Sequence, residues 1–219
     1  MAGTPLDPLR WSKNGELLVT TREGMAYALT TSGAVRTAAK LREPLSTGPV
    51  PLRSGLWAAG SSQGSVFTLE GWRPSRARLA NSAVLSLVPH ADSFVGLSAE
   101  GLFWPGGSLA QTAVRLGCGP DAVLVVAPDG ALGWLKENAV HWFGASPEPI
   151  SAAPACSRDG RVFVPLASGA LLVVDPSGES RRQELGRAAL FTPLVDEARA
   201  QLVVSAASGQ SVALPLGAL

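Results

Sequence analysis

Cysteine and histidine are scarce in this 219-residue chain, and each scarcity removes a class of chemistry. Cys118 and Cys156 are too few for a disulfide framework and too widely spaced for a zinc knuckle, so they read as two small core residues. Because they fall at nearly matching points of neighbouring repeat units, a bridge between them stays geometrically open. His90 and His141 are the two side chains that titrate near neutrality, and they lie in different units, which disfavours a joint acid–base site. Both read as surface or turn residues. Charge of one sign is also lacking: 18 basic residues face 17 acidic ones, a net charge of +1, so no broad field draws in nucleic acid or an anionic membrane. No apolar run approaches the ~18 residues that cross a bilayer. The opening "MAGTPLDPLRWSKNG" has neither the charged start nor the apolar middle of a signal peptide, so the chain as written reads as soluble, with its location unassigned.

What the chain does contain is 46% hydrophobic residues together with 24 glycines and 17 prolines, a composition suited to many short strands joined by tight turns. The stretch "LASGALLVV" has five relatives: "TREGMAYAL", "SSQGSVFTL", "SAEGLFWPG", "APDGALGWL" and "AASGQSVAL". Their anchor glycines are Gly24, Gly64, Gly101, Gly130, Gly169 and Gly209. The mean spacing is roughly 37 residues, a period that identifies a repeat architecture. One interval, Gly101 to Gly130, is short and suggests a unit that has lost part of its first strand. Each anchor follows a polar or small residue and lies between β-rich runs, the signature of a two-residue hairpin whose glycine supplies positive φ. A second turn residue precedes each anchor (Gly15, Gly55, Asp92, Asp121, Gly160, Ala200) and a third follows it (Gly33, Gly71, Gly106, Asn138, Gly178, Gly217).

Three turns imply four strands per unit, and strands apolar on both sides, such as "AVLVVA" and "RVFVPLA", require a neighbour on each face. Radial stacking supplies one. The expected fold is all-β, a single-domain six-bladed β-propeller of four-stranded antiparallel blades spanning about 5–41, 46–80, 81–116, 117–145, 146–186 and 187–219. Two independent sandwiches are the alternative, disfavoured by the lack of a linker or composition shift. The sixth unit stops at "SVALPLGAL", where its outer strand should start. Met1–Pro5 as a partial closing strand, a blade of three strands, or another chain filling the gap are the options, in that order.

With the units aligned, "GRVFVPLASGALLVVDPSGE" (Gly160–Glu179) and "ELLVTTREGMAYALTTSGAV" (Glu16–Val35) resemble the repeat of pyrroloquinoline-quinone-type, quinoprotein-like propellers. In that repeat a strand ends in Ala-x-Asp-x-x-Thr-Gly and a tryptophan follows. Here Val173, Asp175 and Gly178 fall near the first, third and last positions, Ser177 stands in place of Thr, and no tryptophan follows "GESRRQ". WD-type propellers are an alternative, although no Trp-Asp pair ends a unit. The resemblance implies a propeller without cofactor and a role as a protein-binding platform, as is common for such members in bacterial cell envelopes.

Candidate sites are correspondingly those of recognition rather than catalysis; no catalytic, metal or cofactor residue stands out. Asp129 of "APDG" and Asp159 of "SRDG" lack the alternating oxygen ligands of a calcium loop and read as turn residues. Among six tryptophans, Trp57 and Trp134 fall inside strands and read as core, whereas Trp72, Trp104 and Trp142 lie beside the third turn and outer strand, as inter-blade packing or as partner anchors. Arg73, Arg76 and Arg78 beside Trp72 make "GWRPSRARLA" the best candidate patch for an acidic partner segment. Glu23, Gln63, Glu100 and Asp129 beside the anchors would form a mildly acidic rim. The charge-free edge of "QSVALPLGAL" is a second docking candidate, by strand addition. The leading functional expectation is a non-enzymatic interaction platform or scaffold subunit. The alternatives are an enzyme with its site in the propeller funnel, of quinone-dependent dehydrogenase or lyase type, and a carbohydrate-binding propeller. Inner stretches such as "SAAPACS" and "FTPLV" read as small and apolar, which disfavours the enzyme.

Overall fold

A computed structural model describes the chain except for residues 1–2, 7–8, 13, 53–54, 119–121 and 186–188. The chain divides into two compact units, Met1–Thr112 and Ala113–Leu219. In the first unit one sheet holds β1 (Arg10–Trp11), β2 (Leu17–Thr20), β3 (Met25–Leu29) and β4 (Val35–Lys40). The second sheet holds β5 (Val50–Pro51), β6 (Trp57–Gly60), β7 (Ser65–Glu70) and β8 (Arg73–Arg78), and the third holds β9 (Ser86–His90), β10 (Ser93–Ser98), β11 (Gly101–Trp104) and β12 (Gly107–Leu109). In the second unit the fourth sheet holds β13 (Arg115–Cys118), β14 (Val123–Val126), β15 (Ala131–Lys136) and β16 (Ala139–Ala145). The fifth holds β17 (Ala155–Cys156), β18 (Val162–Pro165), β19 (Ala170–Val174) and β20 (Ser180–Glu184), and the sixth holds β21 (Leu194–Asp196), β22 (Gln201–Ser205) and β23 (Ser211–Pro215). All six are antiparallel meanders in chain order, the form of a propeller blade. Among the described residues there is no α-helix, only a 3-10 turn at Leu216–Ala218, and no helix is long and apolar enough to cross a membrane.

Alternation along the middle strands explains why each sheet needs two neighbours. Successive residues of a strand point to opposite faces, so Val162 and Val164 of β18 join Leu124 and Trp134 of the fourth sheet, while Phe163 between them joins Leu202 and Val204 of the sixth. In the first unit Trp57 and Ala59 pack with Leu18 and Ala28 of the first sheet, and Ala58 packs with Phe94 and Phe103 of the third. Trp57 and Trp134 are buried, as expected for core residues.

The anchor glycines all have positive φ, but the hairpin type differs from the expected two-residue turn. In five units the loop has three residues: at the second anchor, Ser61 N–H donates to Ser65 O (2.8 Å) and Gly64 N–H donates back to Ser61 O (3.4 Å). That is a type I turn closed by a left-handed residue, which absorbs an extra residue and gives glycine its place at the loop end rather than the centre. Gly101 alone ends a two-residue loop, paired directly with Ser98. Primed-turn geometry appears instead at outer hairpins, where both central residues, Gly71–Trp72 and Glu137–Asn138, have positive φ. Asp121 lies outside the described residues, and Gly217 sits in the 3-10 turn rather than between strands.

Two further expectations change. The short Gly101–Gly130 interval does not truncate the fourth sheet's first strand, since β13 has four residues; the economy lies in β12, which has three. Of the expected closing segment Met1–Pro5, the described residues join the first sheet instead: Arg22 N–H donates to Thr4 O, Pro5 bridges Thr21, and Leu6 N–H just after donates to Thr20 O. The sixth sheet has three described strands, after which the chain turns under Arg161, whose Nη1 donates to Leu216 O (2.6 Å) and Leu219 O (2.7 Å). Of the two cysteines, Cys156 ends β17 half-buried, and the side chain of Cys118 lies outside the described residues.

Candidate partner-docking strand

Strand β8 reads RPSRAR and is exposed at all six positions. Its register with β7 sorts the predicted patch onto two faces: Arg76 sits opposite Phe67 and Arg78 opposite Ser65, on the face turned to the first sheet, whereas Arg73 sits opposite Glu70 on the other. Trp72, in the tight turn ahead of β8, is half-buried and meets Trp57 edge-on at 5.1 Å, so its ring belongs to the packing between the first and second sheets. The structure therefore puts Trp72, Arg76 and Arg78 on the side of the first sheet and sets Arg73 apart.

The residue that organises this face is Glu43, which sequence reasoning missed. Its side chain is 7% exposed, and its Oε1 takes Arg76 Nη2 at 2.5 Å and Ser65 Oγ at 3.3 Å, while Arg76 Nε donates to Ser65 Oγ at 3.0 Å. Glu43 Oε2 is buried without a partner among the described residues. Beside the pair opens a cavity of about 430 Å³ lined by Lys40, Arg42, Glu43, Phe67, Pro74 and Arg76. A second hollow of about 700 Å³, lined by Leu56, Thr68, Glu70, Arg73 and Ser75, lies on the opposite face of the same strand. Lys40, Arg42, Arg73 and Arg78 make no ion pair among the described residues. Lys40 at the end of β4, Arg42 after it and Arg76 of β8 thus line one cavity with the single carboxylate of Glu43, and Arg78 lies two residues beyond Arg76 on the same strand face.

The signal for Glu43 is a second internal repeat. Glu43-Pro44-Leu45-Ser46 recurs as Glu148-Pro149-Ile150-Ser151, in the segments that lead into the second and fifth sheets. The two serines do the same work, Ser46 Oγ donating to Val84 O (2.6 Å) and Ser151 Oγ to Leu190 O (2.7 Å), each tying its sheet to the next. Glu148 in turn holds Arg182 of β20 at 3.1 Å and accepts from Ser168 Oγ at 2.8 Å.

Breaking the Glu43–Arg76 pair from its two ends should give unequal results. Arg76→Leu strands a buried carboxylate and is expected to cost about 2–3 kcal/mol, below the ~3–5 of a fully buried pair because Arg76 is half in water. Glu43→Leu/Arg76→Leu should recover most of that loss. Chemical denaturation of the three proteins checks it, and a double variant no more stable than Arg76→Leu would contradict the account.

The other predicted residues are mostly occupied by the chain itself. Glu23 Oε2 accepts from Thr4 N–H (2.8 Å) and Glu100 Oε2 from Asn81 N–H (3.2 Å), each fastening an incoming segment to an anchor turn. Backbone N–H groups of Glu23 itself and of Thr4 hold the Glu23 carboxyl below the usual carboxylate range. Asp129 Oδ1 accepts from Ala131 N–H (3.0 Å) within its own turn, and Gln63 is exposed beside Gly64. Asp159 is a turn residue too: burial alone would raise its carboxyl, but hydrogen bonds from Arg161 and Ser157 hold it below the usual range. Trp104, half-buried at the end of β11, lies over Gly107, and Trp142, 43% exposed on β16, lies across Gly133 of β15. Both cover glycines that leave the sheet surface bare. His90 ends β9 in the first unit, with Nδ1 buried and unpartnered among the described residues, and His141 is exposed on β16 in the second. The first strands and their lead-in residues expose larger apolar side chains than expected, Leu9, Trp11 and Leu85 in the first unit and Val114, Phe191 and Leu194 in the second. Strand β23 pairs with β22 on one edge and with no described strand on the other.

No family model and no curated protein matches the chain. Solved structures do. The computationally designed Ika8 protein matches with a TM-score of 0.75 at 16% identity, over 99% of this chain and 72% of that one. BamB from Moraxella catarrhalis matches with a TM-score of 0.66 at 15% identity, over 98% and 75%. A streptogramin B lyase matches with a TM-score of 0.71 at 12% identity, over 96% and 82%. At these identities the likeness carries the fold alone, an all-β propeller whose blades are the six antiparallel sheets.

Proposed function

We propose that this protein is a non-catalytic interaction platform, and that the outer strand β8 of its second sheet takes an acidic segment of a partner protein. One observation carries the reading: Lys40, Arg42 and Arg76 line one cavity with a single buried carboxylate, Arg78 follows on the same face of the exposed strand β8, and a second hollow lies on that strand's other face. Three of the four, Lys40, Arg42 and Arg78, are not neutralised by the chain among its described residues, which leaves a field for carboxylates and a strand rim against which an extended segment can lie. BamB and a streptogramin B lyase share the architecture, so the fold alone is neutral between platform and enzyme. What favours the platform is that His90 and His141 stand on different sheets and that the first strands and their lead-in residues expose large apolar side chains, Trp11 and Leu194 among them.

The test is affinity purification of the chain from its native source followed by cross-linking. A stoichiometric protein partner is expected, with cross-links concentrated on Lys40 and its neighbours near β8. Purification without a protein partner, together with turnover of a small molecule by the isolated chain, would overturn the reading in favour of an enzyme.

A further inference from the structure

The fifth sheet shows what the second sheet is missing. Its arginine clamp is built like the one around Arg76: Arg182 Nη1 meets Glu148 at 3.1 Å and Nη2 donates to Ser168 Oγ at 3.3 Å, as Arg76 meets Glu43 and Ser65. The two arginines occupy the same register position, Arg76 opposite Phe67 and Arg182 opposite Leu172, each the third residue after its anchor glycine. At the fifth sheet, however, a second carboxylate completes the clamp. Glu184 Oε1 meets Arg182 Nε at 2.6 Å. Glu184 sits opposite Ala170, the first residue after the anchor, and the residue in that position at the second sheet, opposite Ser65, is Arg78. The charge is reversed. Lys40 and Arg42, three and one residues before Glu43, correspond to Ala145 and Pro147 before Glu148, so the second sheet has gained cations at every point where the fifth has none or a carboxylate.

From this we infer that the second sheet binds a glutamate or aspartate carboxylate of a partner segment between Arg76 Nη1 and Arg78, so that the partner supplies the second carboxylate that Glu184 supplies internally at the fifth sheet, on Nη1 because Ser65 Oγ already holds Nε. The inference rests on the platform reading and narrows it to one seat. Arg76 is suited to the task because Glu43 and Ser65 fix its guanidinium from behind, through Nη2 and Nε, and leave Nη1 without a partner among the described residues. Arg78 supplies the second cation from two residues along the same strand face, and Lys40 and Arg42 extend the positive rim along the cavity for further acidic residues of the segment.

A hexaglutamate peptide titrated into the full chain by calorimetry at low salt tests the seat. One site is expected. Arg78→Glu, which recreates the fifth-sheet arrangement, should weaken binding at least tenfold, and Arg78→Gln should weaken it less. Arg73→Glu makes the same change of net charge on the opposite face of the same strand and should change the affinity less than twofold. Glu184→Arg should add a second, weaker site. Circular dichroism and thermal melting confirm that each variant is folded. Equal losses from Arg78→Glu and Arg73→Glu, or an unchanged affinity in Arg78→Glu, would overturn the seat. A native partner whose capture is indifferent to Arg78→Glu also sinks the seat while leaving the platform reading standing; peptide binding that follows the expected pattern without any captured partner does the reverse.

Discussion

Phe163→Ala should be the most damaging core substitution, costing about 3–5 kcal/mol of stability. Phe163 has no exposed surface and is the largest fully buried side chain described. It is the residue of β18 that faces the sixth sheet, packed with Leu171, Leu202, Val204 and Leu216, while Val162 and Val164 beside it face the fourth. Removing the ring leaves a cavity between two sheets whose backbones are held by their own ladders and cannot close onto it. The ring also lies under the Arg161 guanidinium, 6.0 Å from its centroid, and Arg161 holds the chain after β23. Urea unfolding followed by tryptophan fluorescence measures the loss. Phe191, more than half exposed on the same unit, is the control: Phe191→Ala should stay within about 0.5 kcal/mol. Similar losses from the two would show that the face between the fifth and sixth sheets is not the packed core described.

Gly64→Ala should cost at least about 3 kcal/mol, and Gly209→Ala no more than about 1–2 kcal/mol, although both glycines are anchors with nearly the same backbone conformation. Their φ values are 85° and 82°, so the strain of placing a side chain in the left-handed region is shared. The surroundings differ. A Cβ on Gly64 would stand 2.1 Å from Ala80 O and 2.8 Å from Ser82 O, backbone atoms that cannot swing aside, whereas one on Gly209 would meet nothing within 4 Å. Gly64 O also accepts from the N–H groups of Leu79 and Ala80 at 3.0 and 3.1 Å, so any retreat of the turn breaks the contact that leads the chain into the third sheet. Thermal melting of the two variants side by side separates the contributions, since the difference between them reports the backbone contact alone. Equal destabilisation would mean that conformational strain, and not close approach, requires glycine at the second anchor.

Much of the fold was legible because its causes are local. A positive φ at a loop end calls for glycine within a few residues, and a strand buried on both faces is written as an unbroken apolar run such as "VFVPLA". The loop length was misread because two- and three-residue hairpins both place glycine before the returning strand; only the pairing of Ser61 with Ser65 distinguishes them. The closing strand was misread for a different reason. Thr4 and Pro5 carry no pattern that says which strand they join, and the carboxylate of Glu23, fastened to Thr4 N–H, decides it through space.

The candidate site divides in the same way. The sequence by itself determined that β8 is a basic, turn-bounded outer strand and that the chain is a series of antiparallel β units, because alternation, turn residues and charge are properties of neighbours along the chain. Only the tertiary structure decided that Trp72 is packing rather than bait, that Arg73 parts company with Arg76 and Arg78, and that Glu43, far away in sequence, neutralises Arg76 while Arg78 stays unpaired among the described residues. The physical reason is that a one-residue step along a strand reverses the face a side chain joins, and the identity of what waits on that face is set by the neighbouring sheet.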